Sequence, residues 1–222
     1  MIRIHTFPWA PVFIETLLRD FRVRWALEEA GQTYEVVPVT RQDAKLEAYR
    51  ALQPFGQVPV YEEDGLVLFE SGAILMHIGE HCEALLPKPE KKRARAIMWM
   101  FASLNSVEPP LQHLLDIDYF TKPGTEWAVL RRDSAVENVK RRLSALETYL
   151  MGREYLEDAF TAGDLLMTTV LRIIRHTDIL KDYPNVERLR ARCEGRPAFK
   201  KALADQLAMF AAHAHLAPQP KA

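Results

Sequence analysis

The sequence predicts an α/β plus all-α fold, in which a βαβ-ββα N-terminal domain is followed by an all-helical C-terminal domain. Strand and helix patterns alternate up to about residue 80, a proline-rich charged stretch follows at Pro87–Lys92, and no strand-like alternation comes after it. The 222 residues are enough for a sizeable core. We therefore expect an N-terminal domain over residues 1–83, a linker over 84–92 and a helical domain over 93–222.

The beginning of the chain contains a strand, a helix and a second strand. Apolar or β-branched residues alternate with polar ones over Ile2–Thr6, as in a half-buried strand. A helical pattern over about Thr16–Ala30 is ended by Gly31, and the β-branched run Tyr34–Val39 predicts a second strand. A short helix is expected over Asp43–Ala51. A strand, a helix and a parallel strand form a βαβ unit.

Two more strands are predicted after Pro54-Phe55-Gly56. They are Val58–Tyr61 and Leu66–Phe69, joined by an acidic turn that ends at Asp64-Gly65. Turn residues between two such runs indicate a β-hairpin. Ser71 follows directly at the expected start of a helix, which completes the ββα half of the domain.

The second half of the chain contains only helical patterns. Proline, glycine or polar breaks separate them, and they cover about Glu90–Glu108, Glu126–Tyr149, Ala162–Ile174, Val186–Cys193 and Ala198–Ala212. Thr161 and Asp164 have the spacing of a capping box, and Phe160 and Leu165 have that of a hydrophobic staple. We interpret these four residues as folding signals rather than catalytic groups.

Composition and charge exclude several classes of protein. Hydrophobic residues make up 48% and charged residues 27%, which excludes disordered and collagen-like chains. The net charge is -1, with 7 basic and 13 acidic residues in 1–83 (-6) and 22 and 17 in 84–222 (+5). This asymmetry fits two domains of different character and is too mild to predict a nucleic-acid partner.

The sequence favours the cytoplasm. No stretch resembles a spanning helix of about 20 apolar residues, and Met1–Thr6 alternates instead of opening a secretory signal. Cys82 and Cys193 are the only cysteines and have no Cys-x-x-Cys spacing, which suits a reducing compartment. We interpret both as buried packing residues and expect no membrane partner.

Three motifs are explained by ordinary structure. His77-Ile-Gly-Glu-His81 matches the H-x-x-E-H pattern of one zinc-protease group, but no distant third ligand stands out. His213 and His215 lie in a small-residue tail, and Lys91–Arg95 fits the solvated start of a helix. We therefore expect neither a metal site nor nucleic-acid binding.

Glu70 and Ser71 stand at the junction between a strand end and a helix start. Such a junction presents unpaired backbone N–H groups and the positive end of the helix dipole, so it suits a carboxylate ligand. The Glu70 carboxylate fits the same site if the ligand also carries an ammonium group for it to bind, as an α-amino acid end does. The alternative is that Ser71 is only the N-cap of the helix.

Val58-Pro59 lies at the start of a strand that is expected to pair inside the sheet, where proline removes a hydrogen bond. A cis peptide would explain a proline at this position, because the turn that it forces exposes the Val58 backbone to a ligand rather than to a neighbouring strand. A trans proline at a sheet edge is the alternative. The Val58 and Glu70 segments are separated by one hairpin and can converge on one site.

These motifs together resemble the cytosolic glutathione transferases. The resemblance rests on Gln53-Pro-Phe-Gly-Gln-Val-Pro-Val60, Phe69-Glu-Ser-Gly-Ala-Ile74, Arg22-Val-Arg-Trp-Ala-Leu-Glu-Glu-Ala-Gly31 and Phe160-Thr-Ala-Gly-Asp-Leu165, and it covers essentially the whole chain. It implies a thioredoxin-like first domain and glutathione as co-substrate, with no metal. It also implies a cis peptide at Pro59, a Val58 backbone that bonds the cysteinyl part of glutathione, and Glu70 and Ser71 at its γ-glutamyl end.

The resemblance also implies a second substrate and a partner chain. The first long helix of the second domain lines the electrophile pocket in related enzymes, so Trp99, Asn105 and Tyr119 are candidates to face a small hydrophobic electrophile. The family usually forms a two-fold homodimer that pairs the first domain of one subunit with the second domain of the other. The opposite net charges of the two halves favour such contacts.

The chain departs from the family where the thiolate is activated. Family members usually place Tyr, Ser or Cys near the end of the first strand or the start of the first helix, but residues 1–30 contain none of the three. A free thiol has a pKa near 8.5, so it needs help to be nucleophilic at neutral pH. The candidates are backbone N–H groups at the helix start, Thr16 as a hydroxyl donor and Arg19 as a nearby cation. Thr16 can alternatively be only the N-cap of that helix.

Two classes of function follow. The first is an enzyme of detoxification type that conjugates or reduces small electrophiles with glutathione. The second is a glutathione-transferase-like binding or interaction module that kept the fold and lost the chemistry. The residues predicted to hold glutathione favour the enzyme, because a purely structural descendant would not need them.

Overall fold

A computed structural model describes residues 1–216 of the chain, so the end of the predicted 93–222 domain lies outside the described residues. The chain forms two compact units. The first contains Met1–Cys82 and the segment that begins at Pro197, and the second is Glu83–Arg196.

The first unit is built on a four-stranded mixed sheet. The strands are β1 (Ile2–Thr6), β2 (Tyr34–Pro38), β3 (Val60–Glu63) and β4 (Leu66–Phe69), and their order across the sheet is β2-β1-β3-β4. β1 and β2 are parallel, whereas β3 is antiparallel to both β1 and β4. The predicted βαβ-ββα organisation is therefore confirmed.

The helices of this unit are α1 (Asp20–Glu29), α2 (Glu47–Arg50) and α3 (Ser71–Gly79). The predicted helix over 43–51 is split, because a single 3-10 turn at Asp43–Lys45 precedes α2 and Leu46 between them is extended. α1 and α3 contact each other, and α1 also contacts β1. The core side chains are apolar and almost fully buried, among them Ile4, Phe21, Trp25, Leu27, Ile74 and Leu75.

α1 is shorter at its start than the pattern suggests. Residues 12–17 form turns, in which the Glu15 N–H donates to the Pro11 carbonyl at 2.8 Å. Thr16 has φ +66°, a left-handed backbone that cannot belong to the α-helix, so α1 begins only at Asp20. Its end agrees with the prediction, since Gly31 follows with φ +63°.

The second unit contains helices and connecting loops but no strand, and all of its residues are described. It contains α4 (Glu90–Phe101), α5 (Glu108–Leu115), α6 (Glu126–Tyr149), α7 (Ala162–Leu171) and α8 (Pro184–Glu194), with π-helical turns at Ala102–Val107 and Asp116–Phe120. α4, α5 and α8 pack against α7, which is buried along its whole length, and α6 packs against α5 and α8.

The stretch predicted as a linker is part of this second unit. Leu85 and Leu86 are almost completely buried, and the Leu85 carbonyl accepts a hydrogen bond from the Ala162 N–H at 2.9 Å. α4 begins at Glu90, before the predicted end of the linker at residue 92. Leu85 and Leu86 therefore pack into the core of this unit, which the proline-rich composition around them does not indicate.

The last helix, α9 (Pro197–Ala212), belongs to the first unit rather than to the helical one. It packs on α1, where the Phe199 ring meets the edge of Trp25 at 4.9 Å and of Phe21 at 5.2 Å between centroids. A helical pattern does not reveal which unit a helix joins, so the predicted 93–222 domain included α9. Among residues 1–216, no helix is long and apolar enough to span a membrane.

Candidate functional site

Strand register brings the two predicted ligand-holding segments to one corner of the first unit. Val60 of β3 pairs with Phe69 of β4, so Val58-Pro59 and Glu70-Ser71 lie just beyond the same end of the hairpin. Val60 also pairs with His5 of β1, which places the loop after β1 at this end too. We call Val58, Pro59, Glu70 and Ser71 the corner.

The Val58-Pro59 peptide is cis, as expected, so the trans alternative is wrong. Pro59 is buried and precedes the first residue of β3. Within the described residues, neither the N–H nor the carbonyl of Val58 bonds another backbone group. Val58 therefore presents a backbone donor and acceptor at the corner, in the manner of an open strand edge.

The loop before the corner is held by Gln53, a residue that the sequence analysis cites only as part of a motif. Its buried side-chain oxygen accepts from the Phe55 N–H at 2.6 Å and the Gln57 N–H at 3.2 Å. The Tyr49 hydroxyl donates to the Gln57 carbonyl at 2.8 Å. Gly56 has φ +63°, and a Cβ there would come within 2.6 Å of the Ala44 carbonyl oxygen.

The start of α3 has no side-chain cap. Glu70 occupies the N-cap position with φ +69° and an exposed side chain, and Ser71 is the first helical residue. The Ile74 N–H is the first to bond back along the helix, to the Glu70 carbonyl at 3.0 Å. The interpretation of Ser71 as the N-cap is therefore wrong, and the N–H groups of residues 71–73 have no bonded partner among residues 1–216.

Arg22 adds a cation that the sequence analysis missed. It lies in the first turn of α1, is buried, and donates from Nη1 to the Ser71 hydroxyl oxygen at 3.3 Å. A guanidinium stays charged at all physiological pH values, so it reinforces the positive end of the α3 dipole. The signal available in the sequence was that Arg22 opens one of the motifs shared with the family and lies within the expected first helix.

This arrangement is chemically suited to an amino-acid end. Free N–H groups at a helix start, a hydroxyl and a buried guanidinium attract a carboxylate, whereas the exposed Glu70 carboxylate attracts an ammonium group. The open backbone of Val58 can pair with one further peptide unit. The corner therefore offers complementary groups for a short peptide with a free α-amino acid end.

The two candidate thiolate-stabilising residues lie in the segment between β1 and α1. Thr16 is buried in the turn region and is not the helix N-cap, because Arg19 occupies that position. Arg19 is exposed and donates no side-chain capping bond. The N-cap alternative for Thr16 is therefore wrong, whereas the catalytic roles of Thr16 and Arg19 stay predictions.

A buried polar cluster occupies the first turn of α1. Asp20 is fully buried and accepts hydrogen bonds from Arg24 Nε at 2.8 Å and from Gln206 Nε2 at 3.1 Å. Asp20 therefore places a negative charge at the start of α1 and pairs it with a buried cation. This acid was not identified as a functional residue, and its role here is to join α1 to α9.

The three predicted electrophile-pocket residues belong to the second unit, where they lie on α4 and on the two π-helical turns. Trp99 donates from Nε1 to Glu157 at 2.8 Å, and its ring lies tilted against that of Tyr149, with ring centroids 4.8 Å apart. Asn105 is exposed on the first π-helical turn. Tyr119 is 40% exposed and its ring meets His176 edge-on at 4.9 Å. Their roles in substrate binding remain predictions.

The His77–His81 motif has another explanation in the structure. His77 Nε2 lies 2.9 Å from the Glu63 carboxylate, which also accepts from the Tyr61 hydroxyl at 2.8 Å. These two hydrogen bonds hold the pKa of Glu63 below its usual range. No group of three potential metal ligands occurs within residues 1–216.

The remaining folding residues behave as expected. Cys82 and Cys193 are buried free thiols, and burial raises the pKa of Cys193 to about 12. Thr161 and Asp164 form the predicted capping box at the start of α7. Burial raises the pKa of Asp164 to about 6, although its carboxylate accepts from the Leu156 N–H at 2.8 Å and the Thr161 N–H at 2.9 Å.

Comparisons with known proteins agree with this fold. Residues 15–80 match the family model of the glutathione S-transferase N-terminal domain, and residues 131–197 match that of the C-terminal domain. Glutathione S-transferase 4 of Zea mays is 31% identical over 189 residues, covering 81% of this chain and 85% of that protein. A glutathione S-transferase of Hyoscyamus muticus is 31% identical over 196 residues, covering 82% and 91%.

A solved structure with similar architecture is a glutathione transferase from Burkholderia graminis, which has two glutathione molecules bound per subunit. It is 27% identical, the match covers 91% of this chain and 87% of that one, and the TM-score is 0.78. The fold and the corner thus define a two-part protein with a thioredoxin-like domain and a helical domain. The chain belongs to the glutathione S-transferase family, and its function is that of a glutathione transferase-like enzyme.

Proposed function

We propose that this chain transfers glutathione to small hydrophobic electrophiles, or uses it to reduce them, and that it binds glutathione at the corner. The observation that carries the proposal is the open start of α3, where the N–H groups of residues 71–73 and the Ser71 hydroxyl stand beside the buried Arg22 guanidinium. The Burkholderia graminis relative with bound glutathione supports glutathione as the co-substrate.

Each group at the corner has a defined task. Ser71 and the α3 N–H groups hold the γ-glutamyl carboxylate, and Glu70 holds the ammonium group next to it. The N–H and carbonyl of Val58 bond the cysteinyl backbone, as a neighbouring strand would. Together these contacts fix both sides of the cysteine and therefore orient its thiol.

The chemical step joins the glutathione sulfur to the electrophilic atom of the second substrate. The thiol loses its proton, the thiolate forms the new bond, and the leaving group departs with the electron pair of the bond that breaks. Thr16 is the proposed hydroxyl donor to the thiolate and Arg19 the proposed nearby cation, assisted by backbone N–H groups around the start of α1. The electrophile is proposed to contact Trp99, Asn105 and Tyr119.

A second candidate function is glutathione binding without catalysis. It is favoured by the absence of Ser, Cys and Tyr from residues 1–30, because a side chain of the usual kind for stabilising a thiolate is then missing. Under this alternative, the corner binds glutathione but its thiol remains ordinary.

The experiment that separates the two is the titration of the thiol of bound glutathione, followed by ultraviolet thiolate absorbance. The enzyme predicts a thiol pKa clearly below the value of about 8.5 for a free thiol. Turnover of a panel of electrophiles and peroxides is measured in parallel. A bound thiol that titrates near 8.5 together with absent turnover supports the binding module instead.

We further propose a cytoplasmic detoxification role, a two-fold homodimer and no nucleic-acid partner. The opposite charges of the two halves of the sequence, -6 and +5, favour crossed contacts between subunits. Light scattering at micromolar concentration is expected to give twice the mass of one chain. A particle with the mass of one chain would refute the dimer.

A further inference from the structure

A second cleft lies on the first unit, at the opposite end of the sheet from the corner. It is lined by residues of α1, α9 and the start of β2, where Tyr34 pairs with Ile2 at the beginning of β1. The corner instead adjoins the other end of β1, near His5. The cleft has a volume of about 480 Å³, within the range of about 300–1,000 Å³ that is typical of small-molecule sites.

Two residues that line this cleft each carry a buried polar atom that has no hydrogen-bond partner within the described part of the chain. These atoms are the Tyr34 hydroxyl and the side-chain oxygen of Gln32, two residues earlier. Buried polar groups are normally hydrogen-bonded, so we expect a ligand or a water molecule to bond each of these atoms. Burial raises the pKa of Tyr34 to about 12, which keeps the phenol protonated and able to donate. The Gln32 oxygen can only accept.

The charged groups around the cleft are already paired with one another. The Lys201 ammonium contacts Glu28 at 3.2 Å and Asp205 at 2.6 Å, and Arg24 Nε donates to Asp20 at 2.8 Å. A charged ligand would therefore have to displace an existing ion pair, whereas an uncharged one would not.

Val36 and Met209 provide apolar surface in the cleft. The Met209 sulfur accepts a hydrogen bond from Arg24 Nη2 at 3.2 Å, which positions this side chain, and a thioether packs well against a flat ring. An uncharged planar ligand thus has apolar side chains to pack against, and the cleft residues offer it one hydrogen-bond donor and one acceptor.

We propose that this cleft binds a small uncharged cyclic amide, in which an N–H and a C=O lie side by side, as in 2-pyridone or a pyrimidine base. The ligand N–H donates to the Gln32 side-chain oxygen, and the ligand carbonyl accepts from the Tyr34 hydroxyl. The ring packs against Val36 and Met209. The proposal is independent of glutathione binding, because it uses no residue of the corner.

The test is a titration of the full chain with 2-pyridone and with N-methyl-2-pyridone, followed by ligand-observed saturation-transfer NMR. The methylated compound keeps the ring and the carbonyl but lacks the N–H donor. We expect it to bind at least about fivefold more weakly than 2-pyridone. Saturating glutathione is expected to leave 2-pyridone bound, because the two sites are at opposite ends of the sheet.

A variant pair locates the site. Tyr34→Phe removes only the hydroxyl and is expected to weaken 2-pyridone binding by about three- to tenfold, whereas Tyr155→Phe in the second unit leaves it unchanged. Should Tyr34→Phe not fold, the two ligands on the unmodified chain still decide the matter.

Three results would overturn the proposal. The first is no binding of 2-pyridone up to about 10 mM, which means that only water fills the cleft. The second is equal binding of the methylated compound. The third is full retention of 2-pyridone affinity in a folded Tyr34→Phe variant.

Discussion

The starts of α3 and α7 show two opposite uses of the same helix terminus. At α7, the Thr161 side chain accepts from the Gly163 N–H at 3.2 Å, Asp164 closes the box, and the Ala162 N–H donates to Leu85. At α3, no side chain caps the helix, and the first N–H groups have no bonded partner within residues 1–216. One terminus uses its donors for folding, and at the other they remain available to a ligand.

Burial follows the same division. Thr161 and Asp164 are almost completely buried, whereas Glu70 is exposed beside the buried Ser71. Sequence alone suggested polar caps at both termini, since a hydroxyl stands at each helix start. The difference teaches that a hydroxyl at N1, one residue inside the helix, cannot close the terminus and instead turns towards a neighbouring cation, here Arg22.

The largest expected effect is on stability at α7. Asp164→Ala leaves the buried N–H groups of Leu156 and Thr161 without an acceptor, so it is expected to lower the free energy of unfolding by about 3–5 kcal/mol. Urea denaturation followed by circular dichroism measures the loss. If the variant still folds at low temperature, its affinity for glutathione is expected to stay within about twofold of the original. A loss below about 1 kcal/mol would contradict the account of the box.

A pH dependence of stability follows from the same residue. Burial raises the pKa of Asp164 from 3.8 to about 6, so between these values the unfolded chain releases a proton that the folded chain retains. This group therefore stabilises the fold most at low pH, and its contribution falls as the pH rises through about 6. The difference in unfolding free energy between the original chain and Asp164→Asn is expected to fall by about 2–3 kcal/mol from pH 4 to pH 7. A difference that is constant or increases with pH would contradict the direction of the shift.

The effect at α3 is expected on binding and not on folding. Ser71→Ala removes a hydrogen-bonding group from the corner, so glutathione affinity is expected to fall by about one to two orders of magnitude, or roughly 1.5–3 kcal/mol. Calorimetric titration measures it, with Ser106→Ala on the exposed π-helical turn as the matched control. An unchanged dissociation constant in Ser71→Ala would remove Ser71 from the site.

The smallest effect is expected at the candidate thiolate-stabilising residues. Arg19 is exposed and therefore screened by solvent, so Arg19→Ala is expected to raise the thiol pKa of bound glutathione by less than about one unit. Thr16→Val tests the hydroxyl in the same ultraviolet titration. If neither variant changes the thiol pKa while the original chain holds it low, backbone N–H groups alone carry the stabilisation.

The order of elements and the positions of the corner could be predicted, because they depend on local patterns. Val58-Pro59, Glu70-Ser71 and the Thr161–Asp164 box are each encoded in a few adjacent residues. The contacts that depend on distant residues could not be predicted. Arg22 and Ser71 are 49 positions apart in the sequence, and Gln206 and Asp20 are 186 apart. Neither pairing can therefore be predicted from the spacing of residues along the chain.

Two features of the fold lie beyond what local sequence patterns can predict, for the same physical reason. The start of α1 depends on the left-handed backbone of Thr16, which no helical period reveals. The membership of α9 in the first unit depends on the packing of Phe199 against α1. An amphipathic pattern shows that a helix has an apolar face, but not which element that face packs against.

The central claim is that the N–H donors at the start of α3 bind glutathione, whereas those at the start of α7 do not. The most direct measurement is the change in backbone amide NMR signals of an isotope-labelled chain as glutathione is added. We expect the amide signals of Ser71, Gly72 and Ala73 to shift to saturation, and those of Ala162, Gly163 and Asp164 to stay in place. Unmoved signals at residues 71–73 in a chain that binds glutathione by calorimetry would contradict the account.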